Sequence, residues 1–195
     1  MDLCLVGSEM CIRDRFESQG AFRLILQATS NPGKKVKFMN DNYSQKDLHT
    51  SSVNIIFTLL DLDTNVFIQS AQENTISNFI KLHTGSPITK NKVESDFAVV
   101  TDGDLDFDSF NEGLDQYPDK ATTLIIQIQS MSQGEDFVLS GPGIKNSNRI
   151  TLSGIPHNFK EKVNANSSKF PLGVDIFLTC KNELISLPRT IKIIN

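Results

Sequence analysis

Cysteine is nearly missing from this 195-residue chain: three are present, and two of them, Cys4 and Cys11, fall within the first fifteen residues. Cys180 alone remains beyond that stretch, which excludes a disulfide framework. Histidine is as scarce, with His49, His83 and His157, and none has a second His or Cys at metal-ligand spacing. That excludes the usual structural zinc patterns, and one thiol cannot ligate an iron–sulfur cluster, which takes about four. No apolar run approaches the roughly 20 residues needed to cross a bilayer. Basic clusters are missing too: the net charge is −4, with 19 Lys and Arg against 23 Asp and Glu. Nonspecific nucleic-acid binding relies on massed Lys and Arg to displace counterions, so that class is disfavoured. Internal repeats, linkers and low-complexity segments are absent. The composition reads as a soluble cytoplasmic protein.

The opening "CLVGSEMCIRDR", Cys4 to Arg15, fits nothing structural. Its five apolar residues have no basic segment before them and are too few for the core of a signal peptide. Gly7-Ser8 interrupts it, and it has neither helical nor strand period. Back-translation of Val6 to Arg15 gives GTG GGC TCG GAG ATG TGT ATA AGA GAC AGx, which resembles the transposase adapter used in sequencing-library preparation. Cys4 and Leu5 fit its upstream bases, so twelve consecutive codons agree. Residues 1–15 are therefore read as a non-native, adapter-derived segment, and residues 16–195 as one α/β domain. The latter keeps 17 basic and 20 acidic residues. At 180 residues it can bury roughly 70% of its unfolded surface.

Helical and strand patterns alternate along that domain. "FESQGAFRLILQATSNPG" predicts a helix with Phe22, Ile25, Leu26 and Thr29 on one face, ended by Pro32-Gly33. "VKFM" reads as a short strand. "SSVNIIFTLL" predicts a second helix with Val53, Ile56, Phe57 and Leu60 inward and Ser51 or Ser52 as N-cap. "VFIQ" is a strand, and "NTISNFIKLHTG" a third helix, capped by Asn74 and stopped at Gly85, with His83 half-buried on its apolar face. "DFAVV" precedes an acidic segment and a weak helix around Phe107–Leu114. "TTLIIQIQS" is the clearest strand, with Leu124, Ile126 and Ile128 on one face. Its other face, Ile125, Gln127 and Gln129, is partly polar or covered by a partner. A turn at Ser132-Gln133-Gly134 would return "EDFVLSGPGI" antiparallel to it. A polar helix near His157–Ala165, the strand "FPLGVDIFLTC" and a hairpin through Lys181-Asn182 complete the chain. The pattern predicts a single three-layer α/β domain with a mixed sheet.

Candidate sites each have a plain structural reading beside the functional one. "SGPGI" could offer backbone amides to an anion, yet Pro142 followed by Gly143 spells a type II turn. It lacks the Lys-Ser/Thr of a P-loop. "DGDLDFDSFNEG" imitates a calcium loop but places Phe107 where Gly is needed and Gly113 where a bidentate Glu is needed, so it reads as a solvated acidic loop or interaction surface. Asp61 and Asp63 could hold a metal or shape a turn. Cys180 ends an apolar strand and reads as inert packing. Arg189 could bind a carboxylate or phosphate, or form an ion pair. No Ser/His/Asp set or matched carboxylate pair emerges.

An ordered string of motifs carries more. "FRLILQATSNPG", "LLDLDTNVFI", "FIKLHTG", "FAVV", "ATTLIIQIQSMSQG", "LSGPGI", "FPLGVDIFLTC" and "LISLPRTIKI" together resemble the H subunit of bacterial carbon–phosphorus lyase (PhnH), across almost all of residues 16–195. The resemblance implies a fold similar to the large domain of pyridoxal-phosphate-dependent transferases without the cofactor site, and hence no cofactor. It implies a role in phosphonate catabolism: with the G, I and L subunits, transfer of methylphosphonate to the ribose C1 of a nucleoside triphosphate, the activity of alpha-D-ribose 1-methylphosphonate 5-triphosphate synthase. A core complex with the G, I and J subunits, in which J carries the radical chemistry, and a homodimer when alone are also implied. The family brings no catalytic motif. The positions nominated for structure or contacts are Asp61, Asp63, His83, Gly141, Gly143, Asp175 and Arg189, with the turn residues Pro32, Gly33, Pro171, Gly173 and Pro188. The alternative is a nucleotide- or phosphonate-binding module using Gly141-Pro142-Gly143 and Arg189, which requires those residues to converge on one positive pocket.

Overall fold

The computed structural model describes residues 5–39 and 45–195, with side chains in α1 described from residue 18 onward. Four α-helices are present among the described residues: α1 (Leu5–Ser30), α2 (Thr50–Leu59), α3 (Glu73–Thr84) and α4 (Phe159–Ser168). They surround a seven-stranded sheet made of β1 (Val36–Lys37), β2 (Val66–Gln69), β3 (Ile88–Thr89), β4 (Phe97–Val100), β5 (Thr123–Gln127), β8 (Asp175–Cys180) and β9 (Glu183–Leu187). A second sheet contains β6 (Ser130–Ser140), β7 (Asn148–Ser153) and β10 (Lys192–Ile193).

The central order is β1-β9-β8-β5-β4-β2-β3. β3, β2, β4, β5 and β8 run parallel, while β9 is antiparallel to both β8 and β1, giving a mixed sheet. Strand alternation divides the interior in two. Ala98, Val100, Leu124, Ile126, Ile176 and Leu178 face the second sheet and α4. Val66, Ile68, Val99, Ile125 and Phe177 face α1, α2 and α3. Both faces of the parallel strands are therefore covered, as such strands require.

Several expectations need correcting. In α1 the buried stripe is Ala21, Ile25 and Ala28, while Phe22, Leu26 and Thr29 point outward. The two alanines allow the helix to close on its neighbours; the larger Phe22 and Leu26 had suggested a face turned by about a quarter of the helix, with Ile25 common to both. α1 also continues back to Leu5, through a stretch without helical period. Elongating an established helix needs only modest propensity, and Gly7 costs about 1 kcal/mol relative to Ala.

The hairpin assigned to β5 and "EDFVLSGPGI" does not form. β5 is flanked by β4 and β8, and the chain crosses to the second sheet at Ile128–Ser130, where Gln129 N donates to Ser153 O at 2.9 Å. Ser132-Gln133-Gly134 lies inside β6, beside an irregularity in its pairing with β7. A period-two apolar pattern fits either partner, so the sequence could not choose. Around Phe107–Leu114 only a single 3-10 turn forms, Phe107–Ser109.

α2 begins after His49, not Ser51 or Ser52, and α3 begins at Glu73 with Gln72 in the capping position instead of Asn74. Gly85 does end α3, in the left-handed region at φ 74°. The polar side of β5 is covered from within the chain. Gln127 Oε1 accepts from the His49 backbone N–H and from Ser52 Oγ, and its Nε2 donates to Asp47 O at 3.1 Å. Ser52 and Thr179 hydroxyls meet at 2.8 Å, and Ser51 Oγ donates to Lys181 O at 3.0 Å. These bonds seat the start of α2 on the sheet.

Candidate functional site

The sequence-nominated residues do not gather at one site: Asp175 pairs with Arg189, Asp61 with Asp63, and Gly141 and Gly143 share a turn. Arg189 is 13% exposed, and its guanidinium is committed: Nη2 reaches Asp175 Oδ2 at 2.5 Å, and Nε reaches Asp175 Oδ1 at 3.3 Å. Nη1 donates to Pro118 O at 2.7 Å and to Pro171 O at 3.2 Å. The Arg189 backbone N–H also donates to Asp175 Oδ1, at 2.9 Å. This clamp joins the β9 exit to the β8 entry and to the loop before β5.

Asp61 shapes the α2–β2 turn. Its Oδ1 accepts from Asp63 N at 3.0 Å, and its carbonyl accepts from Thr64 Oγ1 and Ser86 Oγ. Among the described residues no group of three or more His, Cys, Asp or Glu is placed to hold a metal ion. His83 is exposed instead of half-buried, and its ring packs on Phe79 and Phe57 at centroid distances of 4.6 and 5.3 Å. Gly143, at φ 84°, takes the position a type II turn reserves for glycine, and Ile144 N closes the turn on Gly141 O at 3.1 Å.

The acidic segment is an internally tied loop. Asp104 receives Lys162 Nζ at 2.8 Å and His157 N at 3.2 Å, and the Lys162 ammonium holds its carboxyl below the usual value. Lys169 pairs with Asp108 and Glu112; burial works against its charge, but the two carboxylates outweigh it and raise its pKa. The connections from β2 and from β4 leave toward opposite sides of the sheet, and α/β proteins hold ligands at such switch points. Here Asp102 Oδ2 fills the place by accepting from Ala71 N at 2.8 Å ahead of α3. An anion there would meet that carboxylate.

A cavity of about 670 Å³ lies elsewhere, between the loop after α1 and the β6–β7 loop. Lys34, Lys35, Lys145 and Arg149 line it, together with Ser132, Ser147 and Asn148, and no carboxylate does. Gly143 contributes to its wall, whereas Gly141 and Arg189 do not, so the constellation required by the alternative reading does not assemble. Asn148 Nδ2 donates to Pro32 O at 3.1 Å, and Gly33 N to Ser186 O at 3.2 Å, which pins the walls together. A Cβ on Gly33 would come within 2.5 Å of Leu139 Cδ1, so the approach demands glycine. The cleft can hold an anion, and its lining contains no His, Cys, Asp or Glu. Cys180 lies outside it, with its thiol pushed up by burial and then by Glu183. Sequence reading missed this cleft because "GKK" and "IKNSNR" are each ordinary and stand more than a hundred residues apart.

Residues 12–194 match the family described as bacterial phosphonate metabolism protein (PhnH). The chain belongs to this family. The match opens inside the stretch read as adapter and extends through every residue of the cationic cleft. Among PhnH relatives, a protein of Rhizobium meliloti (strain 1021), the alpha-D-ribose 1-methylphosphonate 5-triphosphate synthase subunit PhnH, is 33% identical over 181 residues, 91% of this chain and 90% of its own. A putative C-P lyase subunit protein, HtxG, of Stutzerimonas stutzeri is 26% identical over 173 residues, 88% of this chain and 83% of its own. As a PhnH protein, the chain has among its described residues no helix long and apolar enough to cross a membrane.

Proposed function

We propose that this chain is a non-catalytic subunit of a bacterial carbon–phosphorus lyase system. It would support transfer of methylphosphonate to the ribose C1 of a nucleoside triphosphate and assembly of the core complex. The observation that carries this reading is the 33% identity, over nine-tenths of both chains, to a synthase subunit that bears a 5-triphosphate product in its name. The G, I and J subunits are its partners in the core, with L acting alongside, and alone it forms a homodimer in the cytoplasm. Its parallel central strands, covered by helices on one face, support the similarity to the large domain of pyridoxal-phosphate-dependent transferases.

The surface supports a docking role. Phe22 and Leu26, one helical turn apart on the outer side of α1, are 45% and 52% exposed. Apolar groups displayed in this way favour burial against another chain. Coexpression with the G, I and J subunits, followed by mass measurement of what copurifies, tests the reading. A stable multi-subunit particle is expected, weakened by Phe22→Glu with Leu26→Glu. Elution of this chain alone, while its sisters assemble without it, would overturn the reading. Arg189→Ala is unsuitable as an interface probe, because its side chain holds this chain's own loops together.

A further inference from the structure

We propose that the cleft between the α1–β1 loop and the β6–β7 loop binds an oligophosphate group, the 5-triphosphate end of a ribosyl compound. The ribosyl identity rests on the functional reading above; the oligophosphate preference rests on the cleft alone.

Charge comes first. Four cations line one concavity without a carboxylate, on a chain whose acidic residues outnumber its basic ones. Four cations outside the cleft are paired: Lys90 with Glu73, Lys162 with Asp104, Lys169 with Asp108 and Glu112, and Arg189 with Asp175. Among the described residues, Lys34, Lys35 and Lys145 make no ion pair, and Arg149 only approaches Asp136, at 3.8 Å. Lys35 is also held in place. Its Nζ donates to Met131 O and Ser132 Oγ, both at 3.2 Å, so the ammonium is positioned by neutral oxygens while its charge stays uncompensated.

Shape and chemistry agree with charge. A volume of about 670 Å³ falls in the range of small-molecule sites, roughly 300–1,000 Å³. The hydroxyls of Ser132 and Ser147 stand among the cations, and phosphate oxygens accept from both kinds of donor. The walls need little reordering to receive a ligand, since Asn148–Pro32, Gly33–Ser186 and the closed turn at Gly141–Ile144 fix them. The end of α1 contributes some negative potential. Its exposed carbonyls are partly satisfied by Asn31 N and Nδ2 on Gln27 O and by Ser30 Oγ on Leu26 O.

The test is calorimetric titration of the full chain with sodium tripolyphosphate, at low salt and at 0.15 M salt. Two double variants carry the same charge change. Lys145→Glu with Arg149→Glu reverses the cleft, and Lys81→Glu with Lys120→Glu reverses two exposed lysines outside it. Saturable binding to the unaltered chain is expected, weakened by added salt. The cleft pair should reduce affinity by about tenfold or more and the control pair by less than about threefold, since distant charges are screened beyond ~8–10 Å. Equal weakening by both pairs, or no saturable binding, would overturn the proposal. So would a cleft pair that keeps its tripolyphosphate affinity but no longer copurifies with the sister subunits, which would assign these cations to an acidic protein surface. A failed titration with intact copurification removes this site and leaves the subunit reading standing.

Discussion

Arg189 is the residue whose environment most changes its meaning. Alone in "LPRT" it is a free cation suited to phosphate; folded, its guanidinium serves one carboxylate and two carbonyl oxygens. Removing it leaves the Asp175 carboxylate without its counterion, takes from Pro171 O its guanidinium donor, and leaves Pro118 O with the Ala121 N–H at 3.4 Å. Arg189→Ala is expected to destabilise the chain by about 2–4 kcal/mol, somewhat below the usual figure for a fully buried pair because Asp175 remains one-third exposed. Lysine should restore little, since one ammonium cannot reproduce a planar fork reaching three acceptors. Urea denaturation of both variants checks this; near-wild-type stability of Arg189→Lys would show that charge alone suffices. The pairing was within reach of the sequence. A hairpin turning at Lys181-Asn182 sets Ile176 opposite Leu187, and one step further brings Asp175 to Pro188, beside Arg189. The cationic cleft offered no such route, because nothing local links Lys34 and Lys35 to Lys145 and Arg149.

At the scale of elements, legibility followed the source of the pattern. α2, α3, β2, β4 and the β8–β9 hairpin were readable because local periodicity and turn chemistry decide them. The pairing of β6 and the rotation of α1 were not, because a distant neighbour decides them. The start of α2 shows how such a neighbour works. Gln127 looked like an anomaly on a buried strand and instead anchors the helix through His49 N, Ser52 and Asp47. His49 is part of that seat: its Nδ1 lies 3.2 Å from Thr179 O. Burial lowers its pKa below 6.5, the Thr179 carbonyl opposes this, and Lys181 adds to the lowering. The unfolded chain therefore takes up a proton at His49 before the folded chain does. Its contribution to stability is complete above pH 6.5 and diminishes as pH falls from there toward the lowered folded value. A positive charge at a helix N-terminus works in the same direction. Melting temperature should begin to fall just below pH 6.5, well before carboxylates titrate, and His49→Asn should flatten that part of the profile. An unchanged profile in the variant would mean that another group controls it.

For the molecule as a whole, the open question is where the folding unit begins. α1 has 26 residues and spans about 39 Å at 1.5 Å per residue. The buried side chains described on it begin at Ala21, and a Cβ on Gly20 would meet nothing within 4 Å. Its contacts with α2, β9 and β1 are therefore anchored by Ala21, Ile25 and Ala28, beyond the adapter-like stretch. If that stretch is foreign, a chain starting at Phe16 loses helix length but keeps this anchor. Its melting temperature should then stay within roughly 2–4 °C of the full chain, the change that about 1 kcal/mol produces at this size. A second chain starting at Ile12, where the family match opens, provides the comparison. Similar melting of all three would place the boundary at or after Phe16. A fall of ten degrees or more confined to the Phe16 chain would assign residues 12–15 to the folding unit, whatever their codons resemble. Such a fall in both truncations would move the boundary further back and defeat the adapter reading. The distinction reaches function through Phe22 and Leu26, because the outer side of α1 can present them to a partner only if the helix remains formed around them.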